Sequence, residues 1–276
     1  MNSPQQRCQV SIVTVGMNHL KYLKPYLNSL FNQNTPQCIF ELIYVDNCST
    51  DGSVEFVKSN YPSVKVVANS KPLGFGENNN IGVSFATGKY VAIINPDIEI
   101  LPNSIDNLYK YAESIDFSAI IAPKLLNKDG SFQQSVRRYM TLKVFIMRAI
   151  TRGNDGSHYK SIQSYLFNDI DKEKTQYIDW AIGASLFMKT DLFKTLGGFD
   201  TDYFLYFEDV DLCVRSWNAG SPVIYYPKSE MIHNHLRASA KLSKKTIFHF
   251  KSMLTFFAKH GISIKSKYNL AVPGKL

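Results

Sequence analysis

Phe40-Glu-Leu-Ile-Tyr-Val-Asp46, followed by Asn47-Cys-Ser-Thr-Asp-Gly52 and then Val54 to Ser59, decides the fold. An apolar run rich in β-branched and aromatic residues ends in a polar turn that opens a helix, the pattern of one strand–turn–helix unit. Ser49, Thr50 or Asp51 is expected to cap the helix, because a short side-chain oxygen accepts from its first N–H groups. Upstream, Val10 to Val15 repeats the strand, and Leu20, Leu23, Leu27 and Leu30 recur at helical spacing. Pro25 is expected in that helix's first turn, where no backbone bond is lost. Downstream come a strand at Val64 to Ala68, a loop at Asn69 to Glu77, a helix at Asn79 to Ala86 and a strand at Tyr90 to Ile94. This alternation predicts an α/β fold with a mainly parallel central sheet flanked by helices. Ligands of such sheets bind beyond the carboxyl ends of the strands, which here carry Thr14, Asp46, Asn69 and the segment Asn95-Pro-Asp97-Ile-Glu99.

After Pro102 the pattern loosens, with a helix near Ile105 to Glu113, a strand near Ala119 to Ala122, and weak patterning from 127 to 177. Trp180 to Met188 reads as one strand and Val223 to Tyr226 as another. At 276 residues, 45% apolar and 20% charged, the chain is neither disordered nor a small disulfide scaffold. The four cysteines form no CxxC pair, so free, mostly buried thiols are expected. No apolar run approaches the roughly 18 to 20 residues of a membrane span. The start MNSPQQRCQV lacks a signal-peptide plan, so a cytoplasmic location is expected.

The net charge of +8 is localised: from Lys228 onward ten Lys or Arg face one acid, Glu230. The expected division is therefore a catalytic domain over 1–227, with halves at about 8–125 and 126–227, and a basic helical C-terminal appendage over 228–276. Phe248, Phe250, Phe256 and Phe257 interleave with that charge, as do apolar residues with Arg137, Arg138, Lys143, Arg148 and Arg152. Such segments suit an anionic membrane surface, or packing on their own domain. No nucleic-acid motif accompanies them, so no nucleic-acid partner is expected.

Gly74-Phe-Gly76-Glu-Asn-Asn79 lacks the third glycine of a dinucleotide fingerprint and follows the third strand, so it reads as a loop holding part of a nucleotide. Asp97, at the end of the fourth strand, offers the oxygen that a hard divalent cation needs. Glu208-Asp209-Val-Asp211 places three carboxylates among apolar residues, costly to bury unless paired or metal-bound. Arg215, four residues after Asp211, makes those two the structural pair and leaves Asp209 as a general base. His233 is a candidate third ligand beside Asp97, with Arg237 and Ser239 as phosphate contacts.

The ordered pieces VSIVTV, ELIYVDNCSTDGS, NSKPLGFGENNNIG, YVAIINPDIEI, DWAIGASLFMKT, LGGFDTDYFLYFEDVDLCVR and IHNHLRAS resemble the family 2 inverting glycosyltransferases of GT-A fold, and especially their bacterial rhamnosyltransferase-like branch. The resemblance implies that Asp46 bonds the base of the nucleotide, with Thr14 beside it, and that Gly74, Asn79 and Asn80 lie over the nucleotide. It implies that Asp97 and His233 hold Mg²⁺ or Mn²⁺, that Asp209 is the base with Glu208 beside it, and that Arg237 and Ser239 complete the diphosphate site. Asn95 departs from the family pattern, standing where many relatives carry the first carboxylate of DxD. Trp180, Gly183 and Ala184 fall on the acceptor side. The implied donor is dTDP-rhamnose, with UDP-hexose or UDP-galactofuranose as alternatives, and the implied acceptor is lipid-linked or a surface polysaccharide. A nucleotide-sugar-binding protein without turnover is the competing class, peripheral membrane association follows from the acceptor, and a homodimer is left open.

Overall fold

The computed structural model describes residues 7–151, 158–168, 171–234, 244–262 and 264–266. In chain order its elements are β1 (Val10–Gly16), α1 (Leu20–Asn28) continued by a π-helical turn (Ser29–Gln33), β2 (Phe40–Asp46), α2 (Ser53–Asn60), β3 (Lys65–Ala68), α3 (Phe75–Ser84), β4 (Tyr90–Ile94), β5 (Ile98–Ile100), α4 (Ser104–Ser114) and β6 (Ile120–Leu126). There follow β7 (Val136–Arg137), α5 (Leu142–Ile150), α6 (Lys160–Tyr165), β8 (Gln176–Tyr177), β9 (Trp180–Ala181), β10 (Ser185–Lys189), α7 (Thr190–Thr195), α8 (Glu208–Asn218), β11 (Val223–His233) and α9 (Lys244–His260).

Among the described residues the main sheet runs β3-β2-β1-β4-β10-β6-β11-β5, with β8 added on β11. The first four strands are parallel, as their helical crossovers require. β10 is antiparallel to β4 and β6, β11 is parallel to β6, and β5 is antiparallel to β11. Alternation along β1 divides the core: Val10 and Ile12 join Leu23, Leu27 and Leu108 on one face, and Val13 joins Val83 on the other.

Ile94 ends β4 and Ile98 opens β5, although β10, β6 and β11 separate the two strands in the sheet. A flat sheet would set them roughly 19 Å apart, whereas the residue steps from Ile94 to Ile98 reach at most about 14 Å. The bond from the Ile98 N–H to the Asn95 carbonyl, 3.2 Å, shortens that reach. The sheet is therefore curled, and the curl carries the end of β11 back toward the end of β4.

Several local expectations are corrected. Pro25 lies inside α1 and not in its first turn; the carbonyl it leaves unbonded belongs to exposed Lys21, where water can serve it. Gly52, in the left-handed region, is the N-cap of α2, while Asp51 accepts from Leu20 N–H and Ser53 N–H and so ties α1 to α2. The glycine loop is already helix, since α3 begins at Phe75. Trp180 to Met188 is two strands, with β9 pairing β7 and β10 pairing β4. Position 227 falls inside β11: Pro227, Lys228 and Ser229 bulge out between the pairs Tyr226–Pro123 and Glu230–Lys124, after which the strand runs on to His233.

The basic helix α9 packs on the domain. Phe256 meets Phe207 at 5.3 Å, Ser252 donates to the Leu205 carbonyl at 2.9 Å, and His260 meets buried Asp211 at 2.6 Å. Asp211 also accepts from Arg215, at 2.7 Å, the pair read from the sequence. Among the described residues, no helix is long and apolar enough to cross a membrane.

Gly82 shows how tightly α3 is seated, because a Cβ there would lie 2.3 Å from Val13 Cγ1. Gly82→Ala is expected to destabilise the chain by about 1–3 kcal/mol through overpacking, read as a lower midpoint in thermal unfolding monitored by circular dichroism.

Candidate active site

Two antiparallel registers assemble the site. In β10 on β4, Ser185 lies opposite Ile94, so the residues just before β10 stand beside those just after β4. Asn95 N–H donates to the Ala184 carbonyl at 2.9 Å, and Gly183 N–H donates to Asp209 Oδ2 at 2.9 Å. Asp209, Gly183, Ala184 and Asn95 are thus brought together. In β11 on β5, His233 lies opposite Ile98, and His233 Nε2 comes within 3.4 Å of Asp97 Oδ1. Asn234 N–H donates to the Asp97 carbonyl at 2.8 Å, and its amide donates to Glu99 at 2.6 Å.

Gln133, not singled out in the sequence, sets the imidazole. Its side-chain N–H groups donate to Asn127 Oδ1 (3.1 Å) and the His233 carbonyl (3.2 Å), which turns its own oxygen toward His233 Nδ1 at 2.6 Å. Nδ1 therefore carries a proton toward Gln133, and Nε2 faces the Asp97 carboxylate. A proton or a cation between them satisfies that arrangement. Their 3.4 Å spacing suits neighbouring ligands on one divalent ion, whose bonds run about 2.1 Å, and an imidazole fixed by a second hydrogen bond is what a metal ligand requires. Asp97 and His233 thus fit a divalent metal as two of its ligands; no larger cluster of His, Cys, Asp and Glu occurs among the described residues. Arg237 and Ser239 lie outside the described residues. A cleft of about 540 Å³ opens beside His233, lined also by Tyr22, Glu99, Asn127 and Asp129.

Glu208 and Asp209 open α8 directly after Tyr206 and Phe207, both non-glycine residues in the left-handed region, with φ of 71° and 69°. Glu208 is buried, and its Oε2 has no hydrogen-bond partner among the described residues. Burial, then the neighbouring Asp209 charge, push its pKa well up. Burial also raises the Asp209 pKa, opposed by the N–H groups of Gly183 and Val210 and the charge of Arg137. Gly74 sits close by: its Cβ would fall 2.8 Å from the Phe204 carbonyl oxygen, which accepts from Phe75 N–H at 3.1 Å.

The other expected contact residues are engaged within the fold. Thr14 is fully buried, because strand alternation turns it toward α1, where its hydroxyl meets Tyr26 at 2.8 Å. Asp46 is also buried, accepting from Tyr44 O–H (3.1 Å) and Ser49 N–H (2.8 Å), and so shapes its own turn. Asn79 donates to the Phe75 carbonyl, and Asn80 clasps the backbone of Phe199. Both amides are engaged in packing. Asn69 joins Asn47 and Asn78 in an amide cluster at the ends of β2 and β3; both partners lie in the quoted motifs, but neither was singled out as a candidate residue. Trp180 is buried and donates to the Arg138 carbonyl, which ties it into the core. Arg138 bonds Ser164, and Arg137 lies over Tyr165, which keeps both off a membrane face.

The chain matches the family described as Glycosyl transferase family 2 over residues 11–177. It is similar to the N-acetylglucosaminyl-diphospho-decaprenol L-rhamnosyltransferase of Mycobacterium tuberculosis (strain ATCC 25618 / H37Rv), 27% identical over 229 residues, 79% of this chain and 74% of that one. It is also similar to rhamnosyltransferase WbbL of Escherichia coli (strain K12), 27% identical over 262 residues, 92% of this chain and 94% of that one. Among solved structures it superposes on GalNAc-T7 with UDP, GalNAc and Mn²⁺ at a TM-score of 0.65 and 15% identity, covering 92% of this chain and 48% of that one, about half its length. It superposes on mannosyltransferase PcManGT from Pyrobaculum calidifontis, in complex with GDP-Man and Mn²⁺, at 0.63 and 18% identity, covering 96% and 67%. These likenesses show the GT-A fold.

The raised Glu208 pKa has a signed consequence. A carboxyl that holds its proton more tightly when folded weakens the fold as pH rises above its ordinary value of 4.5. Glu208→Gln is therefore expected to unfold at a higher temperature than wild type at pH 8, and the gap should close as the pH falls below that value. A pH series of thermal midpoints reads this directly.

Proposed function

The chain belongs to glycosyl transferase family 2 and is a glycosyltransferase, and from that premise we propose that it moves L-rhamnose, with inversion, from dTDP-rhamnose to a hydroxyl of a lipid-linked or surface-polysaccharide acceptor. The observation that supports this most is the convergence at the end of β4 of the Asp97–His233 pair and of Asp209, held by Gly183 N–H. Both curated relatives described above are rhamnosyltransferases, and the name of one describes a lipid diphosphate acceptor.

In the proposed reaction Asp209 takes the proton of the acceptor hydroxyl as that oxygen bonds to the anomeric carbon, and the bond from that carbon to the diphosphate breaks. The products are a glycoside of inverted configuration and a nucleoside diphosphate. Burial raises the proton affinity of Asp209 as a base requires, while the Gly183 and Val210 N–H groups keep its carboxylate oriented. Asp97 and His233 would hold Mg²⁺ or Mn²⁺, which supplies charge neutralisation at the departing diphosphate. Asn95 carries no charge, so in this proposal it contributes hydrogen bonds alone. Asp46, the Asn47–Asn69–Asn78 cluster and Gly74 shape the nucleotide end, the first two by fixing the turns after β2 and β3.

Asp209→Asn is expected to lower turnover by about 10²- to 10⁴-fold, followed as release of nucleoside diphosphate from a panel of dTDP-, UDP- and GDP-sugars with Mg²⁺ or Mn²⁺. Donor binding, read by thermal shift, should survive the substitution. Equal turnover in the variant would remove Asp209 as the base, and indifference to every dTDP-sugar would remove the donor.

A further inference from the structure

Two helices packed on one core each carry an outward apolar stripe that the transfer chemistry does not use. On α5, Lys143, Ile146 and Ile150 fall at i, i+3 and i+7; on α9, Ile247, Phe250 and Leu254 repeat the spacing with Lys251 beside them. The five apolar side chains are between 49% and 70% exposed, and both lysines are exposed. The opposite faces are fixed: Val144, Met253 and Phe256 belong to one buried core, against which Phe145, Met147 and Phe257 pack. Arg148 of α5 lies near enough to His249 of α9 for its charge to add to burial in holding that imidazole's pKa down, so the helices are neighbours. Phe204, 46% exposed, extends the apolar surface from the loop before Glu208 and meets Phe248 at 4.8 Å.

We propose that this joint α5–α9 face docks on the surface of a bilayer containing anionic lipid, lying flat with its isoleucines, phenylalanine and leucine in the headgroup region. Charge chooses the occupant. Neither helix contains a single Asp or Glu, and Lys143 and Lys251 stand exposed beside the apolar side chains. Basic residues flanking an exposed apolar stripe fit an anionic interface. A second copy of the chain would set like charges against one another around the same stripe, which disfavours pairing. The docking side chains do not include Asp209, Asp97 or His233, so docking can fail or hold whatever the donor proves to be.

The test uses the full chain without donor or acceptor, in co-sedimentation with vesicles of phosphatidylcholine alone and of phosphatidylcholine mixed with phosphatidylglycerol. Binding is expected only to the mixed vesicles, weakened by added salt. Ile247→Gln, Phe250→Gln and Leu254→Gln together should cut partition about tenfold or more, as should Lys143→Glu with Lys251→Glu, while thermal unfolding stays cooperative with an unchanged midpoint. Absence of binding to mixed vesicles by the wild type would overturn the proposal. So would undiminished binding of either variant, salt-sensitive retention on DNA in place of vesicles, or a dimer in analytical ultracentrifugation that the glutamine variant dissolves.

Discussion

The hydrogen bond from Asn95 N–H to the Ala184 carbonyl closes the last rung between β4 and β10, and the chain must then reach β5 with only Asn95, Pro96 and Asp97 between. That short reach forces the sheet to curl, because β5 pairs at the far edge with β11. Once it curls, two long-range meetings follow without further adjustment. Gly183, one residue before Ala184, comes to Asp209, and His233, opposite Ile98, comes to Asp97. His233 is thereby carried to Asp97 by the β11–β5 ladder, while the Gly183 N–H reaches Asp209 from the residue next to the last β4–β10 rung.

The sequence revealed its architecture where local periodicity suffices. Residues 10 to 94 alternate strand and helix with enough contrast that every strand there was readable, because each side chain's face is decided by its neighbours in sequence. Legibility failed where the partner is distant. β5 and β9 have three and two residues, too short for any period, and exist through pairing with β11 and β7. Gln133 matters through His233, a hundred positions away, and carries no motif. The amides of Asn79 and Asn80 sit at the positions that the resemblance assigns to the nucleotide, yet the first bonds within its own helix and the second meets Phe199 from 119 positions away. Thr14 shows a different failure: its place at a strand end was readable, but alternation turned its side chain into the core.

The segment from Phe204 to Asp209 shows what the C-terminal helix supports. Two consecutive non-glycine residues in the left-handed region cost about 1–3 kcal/mol each, and they are followed by carboxylates whose burial is itself unfavourable. The N-terminus of α8 offsets part of that charge, since its dipole favours anions in the first turn. The strain has to be balanced by packing, and α9 provides it: Phe248 covers Phe204, His249 lies 5.3 Å from the rings of both Tyr206 and Phe207, and Phe256 packs against Phe207. Ser252 binds the one carbonyl between them, that of Leu205, and His260 anchors the helix to Asp211. The strained elbow is thus held by α9, and a segment that composition marks as a basic appendage is a structural support of the turn that opens α8.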